Sequence, residues 1–130
     1  MRDPHAERKP LVLLVEDELG LSKLMGMILE DEGYRVVDAA NGAQGLARLA
    51  EERPALIITD YMMPELNGYE MVRTIRRNPE YDTIPILMTS AALPSDLPVG
   101  ELVDAFLPKG SGLSLLVSTI RQLIEGADGA

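Results

Sequence analysis

The chain has 130 residues, the length of one ordinary domain, with 46% apolar residues and a formal net charge of −9. Without cysteine it has no disulfide framework or thiolate metal site, and with 21 acidic against 12 basic residues it has no basic stripe for nucleic acid. No apolar run approaches the ~20 residues of a membrane span, and "MRDPHAERKP" lacks the apolar core of a signal peptide, so a cytoplasmic protein without membrane or nucleic-acid partners is expected.

Residues 1–10 read as a flexible polar segment, and "LVLLV" (11–15) as a strand buried on both faces. Leu21, Leu24, Met25, Ile28 and Leu29 recur at helical spacing, and Gly33 stands where that helix would end. "YRVVDA" (34–39) reads as a second strand. Asn41 is placed to cap a second helix, with Ala43, Leu46, Ala47 and Ala50 as its inner face and Pro54 as its stop. "ALIIT" (55–59) is a third buried strand, and "PELNG" after it is turn chemistry.

Met71, Val72 and Ile75 form the stripe of a third helix, ended by "NP" at 78–79. "IPILMTS" (84–90) reads as a fourth strand and "DAFL" (104–107) as a fifth. Between them, Pro94, Pro98 and Gly100 predict a short, degenerate helix that is the most mobile part of the domain. Leu113, Leu116, Val117, Ile120 and Ile124 make the last stripe, closed by Gly126, with 126–130 as a frayed tail. The alternation predicts an α/β fold over 11–125: a doubly wound, five-stranded parallel sheet of order 2-1-3-4-5 with helices on both faces.

Ligands of such a sheet bind at the carboxyl ends of its strands, near the point where strand order reverses. Glu16, Asp17 and Glu18 follow strand one, and Asp60 follows strand three. Thr89 and Ser90 end strand four, and Lys109 follows strand five. The predicted order makes strands one and three neighbours, which brings Glu16, Asp17 and Asp60 together. Clustered carboxylates repel unless something positive relieves them. A hard divalent cation suits oxygen ligands, Mg²⁺ (or Mn²⁺) above all, and Lys109 adds a second positive charge. A hydroxyl donor at Ser90 completes a site suited to a phosphoryl group, with Asp60 as the attacking carboxylate.

These residues resemble the receiver domain of bacterial two-component response regulators over nearly the whole chain. "LVLLVEDE" looks like the family's first strand with its acidic pair, and "TDYMMPELNG" matches its D-x-x-M-P-x-x-x-G signature. "IPILMTSA" resembles its fourth strand and "DAFLPKG" its fifth. The resemblance implies a flavodoxin-like (βα)5 fold with Asp60 as phosphoacceptor and Glu16, Asp17 and the Met62 backbone carbonyl as further metal ligands. It implies Ser90 and Phe106 as switch residues, Lys109 as the phosphoryl-contacting lysine, and the positions of Met62 and Ala92 as tuners of hydrolysis. Neither Met62 nor Ala92 has a hydrogen-bonding side chain for an attacking water, so a long-lived acyl phosphate is expected.

The implied donor is a histidine kinase or histidine phosphotransfer protein; His5, in the polar segment, is not one. The implied target binds the face of the fourth helix, fifth strand and last helix. The chain would catalyse only its own phosphorylation and dephosphorylation. Gly110 stands where the family usually has proline, so a trans peptide or an unusual loop is expected there. Two other readings are a pseudo-receiver that switches by partner contact alone, and a phosphatase of the haloacid dehalogenase type. The intact acidic, hydroxyl and lysine set argues against the first. Met62, where those phosphatases carry an acid/base aspartate, argues against the second.

Overall fold

Five apolar runs become strands in the computed structural model, which describes residues 9–61, 68–90 and 102–129. They are β1 (Leu11–Val15), β2 (Arg35–Ala39), β3 (Leu56–Asp60), β4 (Ile86–Ser90) and β5 (Ala105–Pro108). Helices α1 (Leu19–Asp31), α2 (Gly42–Glu51) and α3 (Gly68–Arg76) follow the first three strands, and α4 (Leu113–Gly129) follows β5. The sheet order is β2-β1-β3-β4-β5, every pair parallel, as the alternation predicts. Of the 91–103 segment expected to form a short helix between β4 and β5, residues 91–101 lie outside the described residues.

Each residue of β1, β3 and β4 is buried, because helices cover both sheet faces, whereas edge strands β2 and β5 are only partly covered. Alternation along the strands divides the core in two. Val12, Leu14, Leu56, Ile58 and Leu87 pack with Met25 and Leu29 of α1 and with Ile120 and Ile124 of α4. Leu13, Val15, Ile57, Ile86 and Met88 pack with α2 and α3 on the other face.

The end signals act as expected. The Asn41 side chain accepts a hydrogen bond from the Gln44 amide at 2.9 Å, and the Gln44 side chain accepts one from the Ala40 amide at 2.9 Å. The Gln44 amide of the first turn and the Ala40 amide just before the cap are thereby both satisfied. Gly33 takes φ 96° just past α1, with its N–H bonded to the Glu30 carbonyl.

The buried side of α2 differs from the expected one. Gly42, Gly45 and Leu49 are buried with Leu46 beside them, while Ala43, Ala47 and Ala50 are exposed. Leu46 and Leu49 give this side its apolar contact, and the glycines let it come close. A Cβ on Gly45 would lie 2.8 Å from Met71 Sδ and 3.0 Å from Val15 Cγ2, so the helix lies on β1 and α3 through its glycines. Leu24 and Leu113, read as parts of buried stripes, are exposed. Both lie on the rim of a groove between α1 and the start of α4. Helix α4 also continues through Gly126, read as its close, to Gly129; one glycine costs a helix only about 1 kcal/mol.

This orientation of α2 is testable. Gly45→Val should cost about 1–3 kcal/mol by overpacking, whereas Ala47→Ser should stay within about 0.5 kcal/mol. Urea denaturation of both variants decides it, and the reverse ranking contradicts the placement of the helix.

Candidate functional site

Parallel pairing sets the neighbours of Asp60, the last residue of β3. Thr59 lies opposite Val15 on β1, and Asp60 opposite Thr89 on β4. Glu16, one residue beyond Val15, therefore stands beside Asp60, and its amide extends the ladder to the Ala39 carbonyl at 3.0 Å. Val12, Leu14 and Glu16 share one strand face, as do Leu56, Ile58 and Asp60, on the α1 and α4 side of the sheet. Alternation alone thus turns both carboxylates to the same side.

Glu16 and Asp60 are 4% and 5% exposed, and Asp17 beside them faces solvent. One carboxylate oxygen from each of the three lies within 4.8 Å of the others. Lys109 enters from β5: its amide donates to the Ser90 carbonyl at 2.8 Å, and its ammonium lies 2.8 Å from Asp60 Oδ2 and 3.4 Å from Glu16 Oε1. The fourfold meeting of Glu16, Asp17, Asp60 and Lys109 is the one expected from their strand ends. Among the described residues three carboxylates face one ammonium, and the converging hard oxygens suit a Mg²⁺ or Mn²⁺ ion.

Ser90 ends β4 and is buried, on the strand face shared with Ile86 and Met88. Thr89 faces the opposite way, into the groove lined by Met25, Leu107 and Lys109. Phe106 pairs with Met88 in the β4–β5 ladder and is half-buried against the α2 and α3 core. Met62 and Ala92 lie outside the described residues. The Lys109–Gly110 peptide is trans, and Gly110 takes φ 88°, a conformation that proline could not adopt.

Two residues matter more than their sequence context suggested. Thr59, read only as part of an apolar strand, is fully buried and donates its hydroxyl to the Asp60 carbonyl at 3.0 Å. Gly68, read as turn chemistry, receives that same carbonyl at close quarters. A Cβ there would collide with the Asp60 carbonyl oxygen, which lies opposite the start of α3. The Gly68 amide also donates to the Tyr61 carbonyl at 3.0 Å, closing the turn. A hydroxyl residue just before the aspartate, and a glycine eight residues after it, were the available signals.

The family model of the response regulator receiver domain matches residues 12–121. The chain belongs to this family. Receivers similar to it include the signal receiver domain of a signal transduction histidine kinase from Syntrophus aciditrophicus. That structure is 32% identical, covers 90% of this chain and 91% of its own, and superposes with a TM-score of 0.82. The response regulator TrrA from Thermotoga maritima, solved in complex with Mg(2+)-BeF, is 27% identical with a TM-score of 0.80, covering 88% of this chain and 98% of its own. The transcriptional regulatory protein AfsQ1 of Streptomyces coelicolor is 40% identical over 82 residues, or 63% of this chain; the match spans only 35% of AfsQ1. Among the described residues of this receiver, no helix is long and apolar enough to cross a membrane.

Burial raises the Glu16 carboxyl above its ordinary 4.5, and the neighbouring Asp60 charge adds to this. The Glu18 amide, donating to Glu16 Oε2 at 3.1 Å, and the Lys109 charge offset it in part. Burial pulls the Lys109 ammonium down from 10.5, but its hydrogen bond and charge pairing with Asp60, helped by Glu16, outweigh this and raise it.

A carboxyl raised in the fold contributes stability that is full below its unfolded value and lost as pH rises through the folded one. Without metal, Glu16→Gln should therefore be more stable than the wild type at neutral pH. That advantage should vanish as pH falls below 4.5. Urea titrations in chelator across this range measure it; a wild type more stable than the variant at neutral pH contradicts the charge reading.

Proposed function

We infer that this receiver accepts a phosphoryl group on Asp60 from a histidine kinase or histidine phosphotransfer protein, and that the modified domain changes its partner contacts. What supports this most is the ammonium of Lys109, held 2.8 Å from Asp60 Oδ2 in a pocket that Glu16 and Asp17 keep acidic. A structural ion pair would need neither the second buried carboxylate nor the third at its mouth. Such crowding is costly in an empty site and useful in one that receives a cation and an anionic group together.

In the transfer, an Asp60 carboxylate oxygen attacks phosphorus and the donor's P–N bond breaks, its electron pair staying on the imidazole nitrogen. Lys109 leaves the carboxylate for the phosphoryl oxygens, and the Ser90 hydroxyl, at the last position of β4, turns from its own strand face to donate to another of them. Glu16, Asp17, Asp60 and the Met62 carbonyl would hold Mg²⁺, which supplies charge neutralisation at those oxygens when bound. Ser90 and Phe106 then carry the change to a target-binding face formed by the 91–103 segment, β5 and α4. The acyl phosphate decays slowly, because Met62 and Ala92 bring no polar side chain to orient a water. The chain acts on no other substrate, and it works in the cytoplasm.

Intact-mass analysis after incubation with acetyl phosphate and Mg²⁺ tests the reading. The wild type and Thr89→Val should gain one phosphoryl group, Ser90→Ala should gain it more slowly, and Asp60→Asn should gain none. An adduct that persists in Asp60→Asn, or none on the wild type with acetyl phosphate or a phosphorylated histidine donor, overturns it.

A further inference from the structure

Lys109 reaches Asp60 only because β5 is in the correct register, and β5 is poorly equipped to find that register alone. It has four residues, none of them fully buried, and pairs with β4 on one side only. Register is strongly specified where alternation buries one face and weakly where it does not. A slip of two residues, the smallest that keeps side chains on their own faces, would carry Lys109 about 6.6 Å along the sheet. The ammonium would then lose a pairing that now spans 2.8 Å.

The opposite end of the strand carries a polar clamp. Asp104, just before β5, grips one residue of β4 twice. Its amide donates to the Ile86 carbonyl at 2.9 Å, and its Oδ2 accepts from the Ile86 amide at 2.8 Å. Arg76, the last residue of α3, donates to the same Oδ2 at 3.1 Å and to the Leu102 carbonyl at 2.9 Å. Its remaining bonds go to the Tyr81 and Asp82 carbonyls at 3.1 and 3.2 Å, in the turn leading to β4. Met71, Val72 and Ile75 fix α3 in the core, so the guanidinium extends from a rigid mount. One side chain thus ties the approaches to β4 and β5 together, at the sheet edge opposite the acidic pocket.

We propose that Arg76 and Asp104 are positioning residues, which set the register of β5 against β4 and so deliver Lys109 to Asp60. The functional part of this proposal rests on Asp60 being the phosphoacceptor; the structural part does not. A residue that only added bulk stability would weaken the whole sheet evenly. A register clamp acts on β5 and on whatever Lys109 does.

Amide exchange of the full chain reads the structural part. In Asp104→Ala, exchange at Lys109 should accelerate by up to about tenfold, the worth of one hydrogen bond, while β3 amides change little. Asp104→Asn, which keeps an oxygen for the Ile86 amide, should restore most of the protection, and Arg76→Met should lose it. Acetyl phosphate kinetics read the functional part. Asp104→Ala should slow phosphorylation in the wild-type background and cost nothing further in Lys109→Ala, because it acts through that lysine. The proposal is overturned if Lys109 and β3 amides accelerate together, or if the two substitutions slow phosphorylation additively. If no variant, wild type included, takes a phosphoryl group, the function assigned to Asp60 fails, and amide exchange alone decides the clamp.

Discussion

The ammonium of Lys109 between Asp60 and Glu16 is the interaction on which the rest of the molecule depends. Two nearly buried carboxylates side by side, with Asp17 at the mouth, would be a liability without a counter-charge. Lys109 relieves part of that repulsion and leaves the pocket acidic. The imbalance makes the site chemically available: among the described residues, one ammonium faces three carboxylates. A fully compensated cluster would have no electrostatic reason to take up a cation.

The sheet delivers these groups with little dedicated machinery. The alternation that sends Val12, Leu14, Leu56 and Ile58 into the core under α1 and α4 turns Glu16 and Asp60 the same way one step later. Strand order makes β1 and β3 neighbours, and β4 holds β5 through the Lys109 amide. The backbone at Asp60 is then fixed by two small features, the Thr59 hydroxyl on its carbonyl and the bare Cα of Gly68 against it. The core sets which way the site faces, and these contacts set its fine geometry.

Much of this was legible in the sequence because it depends on local rules. The apolar runs "LVLLV" and "ALIIT" read as strands covered on both faces, Asn41 and Gly33 mark helix ends by known chemistry, and the acidic, hydroxyl and lysine residues stand at strand ends where ligands bind. Less legible was whatever depends on distance between elements. The buried side of α2 carries Leu46 and Leu49 together with Gly42 and Gly45, and the close fit of Gly45 against Val15 and Met71 is visible only once the elements are packed. Gly126 looks like a helix end and lies inside α4. Thr59 resembles any β-branched strand residue until its hydroxyl is seen on the Asp60 carbonyl. Arg76 and Asp104 are 28 residues apart, and nothing local connects them.

Calorimetric titration with Mg²⁺ at neutral pH tests the charge balance most directly, because it pits Lys109 against the cation. The wild type should bind one ion, and Asp17→Asn should bind it more weakly. Lys109→Met should bind it more tightly than the wild type, since it removes a competing positive charge held against Asp60 and Glu16. Unchanged or weaker binding in Lys109→Met would mean that the lysine does not compete for those carboxylates, and would contradict the account of the pocket.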